Sequence, residues 1–514
     1  MSLLVFNSQP IADLVAAMAL SVVVPSAVAA QMVHAVSDDS REIAVGMIFV
    51  ARQGVSHDAS DFIAKALDAG AVWVLSEQAH PDERVSRVAD IPSALFALVR
   101  AGTGLDVADL HLIGITGTNG KTSVAQFIAS ALTASGAPHT AKIGLIGTLG
   151  AGVWTPDLAQ LQPTHNTTPG LLATLAHCVA FIRAGVRYVV MEVSSHALAQ
   201  GRLRGLPIRD AVFTNLSRDH LDYHGDMATY LAAKARLFAW PGLQTAVLNF
   251  DSPYADDLFE QLGTEVDCWA YGLGEPDWRV ADCHQITLNK LIPHQRGLTA
   301  SMVTPMGEVT LSPALIGPFN TANLMAALAT VLALGMPLDV AAPALNQVAP
   351  PLGRMQLLAL PNGAMAVIDY AHTPDALDQV LRALRDHRVG DAQILCVFGC
   401  GGDRDRGKRP LMAAVAERWA DVVILTSDNP RSEAPQAIVA DMLAGIREPG
   451  RIRIELDRQQ AIAMALAATK WGDWVLIAGK GHETTQEIQG QVLPFSDVVE
   501  VHAWCAQRAL GGVA

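Results

Sequence analysis

Lys121 and Thr122 close the run Gly114-Ile115-Thr116-Gly117-Thr118-Asn119-Gly120-Lys121-Thr122-Ser123, a glycine-bearing turn with a cation and a hydroxyl at its end. This order suits a triphosphate. Gly114, Gly117 and Gly120 let the backbone curl so that N–H groups face phosphate oxygens, and a following helix would aim the positive end of its dipole at the same place. Lys121 adds a mobile charge, and the Thr122 hydroxyl can ligate the magnesium that accompanies ATP. The common loop template asks for glycine five positions before Gly120, where Ile115 stands, so the loop is a variant and a plain helix-capping turn is the simpler alternative. The apolar Leu110-His111-Leu112-Ile113 predicts a strand before it, and Val124, Phe127, Ile128, Ala131 and Leu132 predict a helix after it.

Two further runs could do chemistry. Tyr188-Val189-Val190-Met191 reads as a strand ending in Glu192-Val193-Ser194-Ser195-His196, which puts a carboxylate where such sheets bind ligands. Glu192 is a suitable magnesium ligand, although a lone Glu at a strand end is often only solvated. Asn215-Leu216-Ser217-Arg218-Asp219-His220-Leu221-Asp222-Tyr223-His224-Gly225 carries more ionisable groups than a structural turn needs. His220 is its candidate metal residue, with the others orienting it.

These residues must be held by several domains, because 514 residues exceed what one core usually organises. A net charge of -14 and a pI near 5.5 argue against an unaided nucleic-acid binder. Cys178, Cys268, Cys283, Cys396, Cys400 and Cys505 form no CxxC pair and no zinc spacing, which fits a reducing cytoplasm. The apolar Ile11 to Ala30 ends in Ala-Val-Ala-Ala like a cleavage site, but no cation precedes it, and Asp13 and Pro25 interrupt it. No stretch is long and apolar enough to span a bilayer, so no membrane insertion is expected.

The expected fold class is α/β. A small N-terminal α/β domain over 1–108 has strands Met47–Val50 and Val72–Leu75 and helices Ala59–Ala69 and Ile91–Ala101. A central ATPase domain over 109–351, with a mainly parallel sheet, adds an antiparallel section between Asp267 and Val309 and a helix Asn320–Leu334. After the stiff Ala349-Pro350-Pro351-Leu352-Gly353, a doubly wound, Rossmann-like domain over 352–514 uses strands Ala366–Asp369, Ile394–Phe398, Val422–Thr426 and Trp474–Ala478.

The loop Gly117 to Thr122, Glu192 to Leu198, Asn215 to Asp226, Gly317-Pro318-Phe319-Asn320 with Asn323, Gly353-Arg354-Met355 and Asp369 to Pro374 occur in the order that resembles the Mur ligase family, over nearly the whole chain. That family consists of ATP-dependent amide ligases that build the peptide stem of peptidoglycan on a UDP-linked sugar. The resemblance implies that Gly117, Thr118, Asn119, Gly120, Lys121, Thr122, Ser123, Asn320, Arg354 and Asp369 bind ATP. It implies that Thr122, Glu192 and His220 serve Mg2+, and that Lys234 is carbamylated, turning a cation that would repel the metal into an anion; a plain helical surface lysine is the alternative. Lys121, Lys234, Glu192 and His220 would be the catalytic set.

For UDP-N-acetylmuramoyl-L-alanyl-D-glutamate the implied residues are Ser40, Val55, Ser56, His57, Asn166, Thr167, Thr168, Ser194, Gln200 and Arg202. For meso-diaminopimelate they are Arg404, Asp428, Asn429, Pro430, Arg431, Gly479 and Glu483. Diaminopimelate differs from lysine by one far carboxylate, which the Arg431 guanidinium can grip with two parallel bonds. A cytoplasmic monomer is expected, with a third domain that closes to exclude water. Folylpolyglutamate synthase and lysine-adding relatives share the loop and the lysine region but would not be expected to carry Arg431 in this motif. A nucleotide switch would have no use for an amino-acid pocket.

Overall fold

The computed structural model describes residues 3–18, 20, 22–52, 60–134, 142–156, 158, 160–164, 166–274, 282–294 and 297–511. Two compact units emerge. The first runs to Tyr271 and takes back Ala326–Pro337; the second holds Ile286–Met325 and everything from Leu338 onward.

The first unit contains two sheets. In the N-terminal one, Leu3–Pro10 pairs antiparallel with Met32–Ser37, and Met47–Ala51, Ala71–Ser76 and Val85–Arg87 follow in parallel. The ambiguous apolar stretch after Pro10 makes a short helix, Ile11–Met18, that buries Ile11, Leu14 and Met18. Among the described residues no helix is long and apolar enough to cross a membrane.

In the second sheet, Thr245–Asn249, Ile208–Phe213, His111–Thr116, Val186–Glu192 and Lys142–Gly147 lie side by side in parallel. The strand Leu3–Pro10 and the helix Leu171–Arg183 contact each other, and a single apolar core runs from Leu4 and Phe6 to Val189 and Leu248. Burying both sheets against shared side chains is why they form one unit.

An antiparallel meander of His284–His294, Gly297–Thr304 and Gly307–Leu311 occupies the expected section, followed by the helix Pro318–Ala333. Cys268 and Cys283, which stand in no CxxC or zinc spacing, form a disulfide with Cα atoms 4.8 Å apart, a pairing that the expectation of a reducing cytoplasm did not anticipate. Cys178, Cys396, Cys400 and Cys505 are free.

The second unit carries a six-stranded sheet in the order Gln356–Ala359, Met365–Asp369, Trp474–Ala478, Ile394–Phe398, Val422–Leu425, Ile452–Ile454. All but the first, an antiparallel edge, are parallel. Alternate strand residues point to opposite faces. Val367, Cys396, Phe398 and Leu425 pack with Leu377, Leu381 and Met412, whereas Ile368, Leu395, Val397 and Ile424 pack with Ile462, Leu466 and Val501. Helices therefore cover both faces, and every ligand group must come from the strand ends.

Candidate functional site

In the first unit the strand His111–Thr116 runs into the glycine turn, and the helix Lys121–Thr133 begins at Lys121. Gly117 and Gly120 have φ of 153° and 86°, values that disfavour a side chain. A Cβ on Gly117 would also collide with Thr214 Oγ1. Gly117→Ala is therefore expected to destabilise the protein by about 1–3 kcal/mol, read as a lower urea midpoint; an unchanged midpoint would contradict this loop geometry.

Lys121 Nζ donates to Gly117 O and Thr118 O, both at 2.9 Å, so the lysine curls back over the turn. The turn is braced from the next strand end, where Asn215 Oδ1 accepts from Asn119 N at 2.9 Å.

Beside the helix start lies Glu192, only 2% exposed and therefore dependent on its partners. Its carboxylate accepts from Thr122 Oγ1 at 3.0 Å, from Thr148 N at 2.9 Å and from Thr148 Oγ1 at 3.1 Å. A carboxylate and a hydroxyl at a phosphate loop fit a hard cation that takes its other ligands from phosphates and water, as Mg2+ does. The donor set fits. No cluster of three His, Cys, Asp or Glu able to hold a metal occurs among the described residues.

His220 has φ of 54° and sits where Asp219 lies 3.6 Å away. Its ring is 4.9 Å from that of His196 and 6.2 Å from that of Tyr230. His224, beside it in the cluster, meets Ser195 Oγ through Nε2 at 2.9 Å.

Lys234 is not a surface lysine. Only 1% exposed, it donates through Nζ to Gly117 O at 2.8 Å and lies 4.7 Å from the Tyr230 ring centre. Burial, reinforced by the charge of Lys121, holds its pKa well below that of a free lysine.

A chain of contacts joins the residues expected at the sugar nucleotide. Thr168 Oγ1 donates to Glu192 O at 2.8 Å and accepts from Ser194 N at 2.9 Å; Arg202 donates to Thr168 O at 3.1 Å and to Gln200 Oε1 at 2.7 Å. Thr167 Oγ1 is 3.2 Å from Thr148 Oγ1, and Asn166 O accepts from Thr164. Burial lowers the Arg202 pKa, and Arg52 lowers it further. Arg52 and Thr148 are absent from the sequence reading, since neither stands in a recognisable run. Ser40 is buried nearby in sequence to Asp38, which lies 3.9 Å from Arg52. Val55, Ser56 and His57 fall outside the described residues.

The second unit gathers the remaining candidates at the strand ends. Asp369 accepts from Met355 N and Ala371 N, both at 2.7 Å, tying the Arg354 turn to the strand. Burial raises its pKa, opposed by Arg354. The Arg354 guanidinium lies 4.4 Å from the Tyr370 ring centre. Asn320, 3% exposed, donates to Ile316 O at 2.9 Å and accepts from Asn323 at 3.1 Å.

Two loops then face each other. Gly402 N donates to Asn429 O at 2.9 Å, Arg431 Nη1 donates to Gly402 O at 2.8 Å, and Asp403 accepts from Ser432 Oγ at 2.7 Å. Buried Arg409 grips Glu433 at 2.7 Å, and Glu433 accepts from Asp403 N at 2.7 Å; this pairing holds the Glu433 pKa down to about 2. Arg404, from the same loop, is exposed and donates to Asp403 O at 3.3 Å. Arg431 takes φ of 52°, and its Nε is 3.3 Å from Glu487. Asn429 donates to Glu483 at 2.9 Å, and Pro430 lies between them and Arg431 in the loop. Gly479, at φ of 111°, passes 3.7 Å from Asp428 if given a Cβ.

Known proteins resemble this chain in sequence and fold. Residues 115–331 match the Mur ligase middle domain, and residues 353–481 match the Mur ligase glutamate ligase domain. A Pseudomonas aeruginosa protein named UDP-N-acetylmuramoyl-L-alanyl-D-glutamate–2,6-diaminopimelate ligase is 44% identical over 96% of this chain and 98% of its own length. A Coxiella burnetii protein of the same name is 42% identical over 91% of this chain and 95% of its own. A solved structure under that name is 37% identical with a TM-score of 0.69, covering 92% of this chain and 95% of that one. The MurF ligase from Thermotoga maritima in complex with ADP, at 17% identity and a TM-score of 0.60 over 93% of this chain and 98% of its own, shares the fold. With domain matches on both sides of Pro351 and relatives alike along almost their full length, the chain belongs to the Mur ligase family.

Proposed function

We propose that this chain is an ATP-dependent ligase that joins meso-diaminopimelate to the D-glutamyl residue of UDP-N-acetylmuramoyl-L-alanyl-D-glutamate, a step of peptidoglycan synthesis. Near-full-length identity of 44% to a relative named for that reaction supports the choice of substrates. The observation that carries the chemistry is the buried Glu192 carboxylate bonded to Thr122 at the head of the phosphate loop.

ATP phosphorylates the free side-chain carboxylate of the D-glutamyl residue. The resulting acyl phosphate has a far better leaving group than hydroxide, and the amine of diaminopimelate displaces inorganic phosphate to form the amide. Gly117, Thr118, Asn119, Gly120, Lys121, Thr122 and Ser123 hold the phosphates, and Lys121 offsets charge on the transferring group. Thr122, Glu192 and His220 would hold Mg2+, which would supply charge neutralisation at the phosphates. Asn320, Arg354 and Asp369 serve the rest of ATP. Ser40, the 55–57 loop, Asn166, Thr167, Thr168, Ser194, Gln200 and Arg202 take the nucleotide sugar. Arg404, Asp428, Asn429, Pro430, Arg431, Gly479 and Glu483 take the amino acid.

We assign one reactant to each of 1–108, 109–351 and 352–514, for sugar nucleotide, ATP and amino acid respectively. One chain then supplies a site for each reactant, so the enzyme works as a monomer, in the cytoplasm where ATP is drawn. Purified protein is expected to release phosphate from ATP only when both the nucleotide dipeptide and meso-diaminopimelate are present, with the amide product seen by mass. Phosphate release without any amino acid would favour a nucleotide switch and sink the reading.

A further inference from the structure

Lys480 is fully buried, yet the reaction as described gives it no part. It follows the strand Trp474–Ala478, at the end of the sheet where Asp428, Asn429 and Glu483 also lie. Its Nζ donates to Glu483 Oε2 at 2.9 Å and to Asn429 Oδ1 at 3.1 Å, and it lies 3.6 Å from Asp428 Oδ1. Asn429 in turn donates to Glu483 and accepts from Glu487 N at 3.0 Å. One ammonium thus ties together three side chains of the proposed amino-acid pocket. A buried charge persists only where its partners repay desolvation.

The charge count has a consequence for selectivity. Asp428 and Glu483 set two carboxylates against the Lys480 ammonium, and Arg431 brings a further cation to the same proposed pocket. The far end of meso-diaminopimelate is a zwitterion, ammonium plus carboxylate, whereas the far end of lysine is an ammonium alone. Stripping the Lys480 charge would leave a more anionic pocket, which attracts the lysine end and opposes the extra carboxylate.

We propose that Lys480 is a positioning and specificity-determining residue: it fixes Asn429 and Glu483 and sets the pocket charge that favours a zwitterionic amino-acid end over a cationic one. This rests on the reading of the chain as a diaminopimelate ligase.

The test compares kcat/KM for lysine and for meso-diaminopimelate on the same preparation of wild type, Lys480→Met and Lys480→Arg. Any loss of folded protein cancels from that ratio. Lys480→Met is expected to raise the lysine to diaminopimelate ratio about tenfold, the scale of one largely water-screened charge a few ångströms away. Lys480→Arg, which keeps the charge, is expected to hold the ratio closer to wild type than Lys480→Met does. An unchanged ratio in Lys480→Met, or an equal rise in Lys480→Arg, overturns the proposal. Wild type that does not ligate meso-diaminopimelate at all would instead overturn the reading of function.

Discussion

Replacing Lys234 by alanine is expected to lower ligation by about 100-fold or more, the usual scale for losing a fixed electrostatic group at a phosphoryl-transfer site, and bicarbonate is expected not to restore it. The lysine is buried beside the phosphate loop, its Nζ on Gly117 O and another cation, Lys121, close enough to depress its pKa. A depressed pKa leaves more of the amine neutral, and the neutral amine is the form that adds carbon dioxide. The carbamate would retain one N–H for Gly117 O while turning a cation into an anion. Below the folded-state pKa the amine is protonated and unreactive, so the modification should be lost as pH falls, with a mass loss of one carbon dioxide in native mass spectra.

Stability separates this from a structural role. The native state binds the Lys234 proton less readily than the unfolded chain, so burying the unmodified lysine opposes folding in full below the folded pKa. That opposition fades as pH rises from there towards 10.5, the ordinary lysine value. Lys234→Met should therefore be no less stable than unmodified wild type at neutral pH while being inactive. Full activity in Lys234→Ala would refute the carbamate.

What the sequence made legible was local. The strand before the phosphate loop, the helix after it and the four strands after Gly353 follow from apolar runs and turn residues; the four strands fall within a residue of expectation, whereas the first strand, expected over Leu110–Ile113, runs on to Thr116. Partnerships across the chain were not legible. Thr148 holds Glu192 from 44 residues away, and nothing in Gly147-Thr148-Leu149-Gly150 marks it as more than a turn. Lys234 reads as one more residue of a helix; only its packing under Gly117 reveals it as buried. Spacing also gave no sign that Cys268 and Cys283 meet, since strand pairing rather than sequence interval brings them together.

Replacing Arg431 by alanine is expected to erase the preference for meso-diaminopimelate over lysine. A charge-assisted bond is worth about 1.5–3 kcal/mol, so kcat/KM for diaminopimelate should fall roughly 10- to 150-fold while that for lysine changes little. The loop geometry explains why this arginine can select. Its backbone is forced to φ of 52°, and both its N–H and its carbonyl are tied to the hairpin strand Thr485–Ile488 and the turn after it, through Glu487 O at 3.0 Å and Gln489 N at 2.7 Å. Nη1 donates to Gly402 O and Nε lies 3.3 Å from Glu487, contacts that hold the guanidinium plane in place. A planar fork held this way meets a carboxylate without losing much side-chain entropy. Arg431→Lys keeps the charge but not the fork, and should recover only part of the preference. The measurement is ligation of the two amino acids in parallel, and an Arg431→Ala enzyme that still prefers diaminopimelate by the wild-type factor would remove Arg431 as the selector.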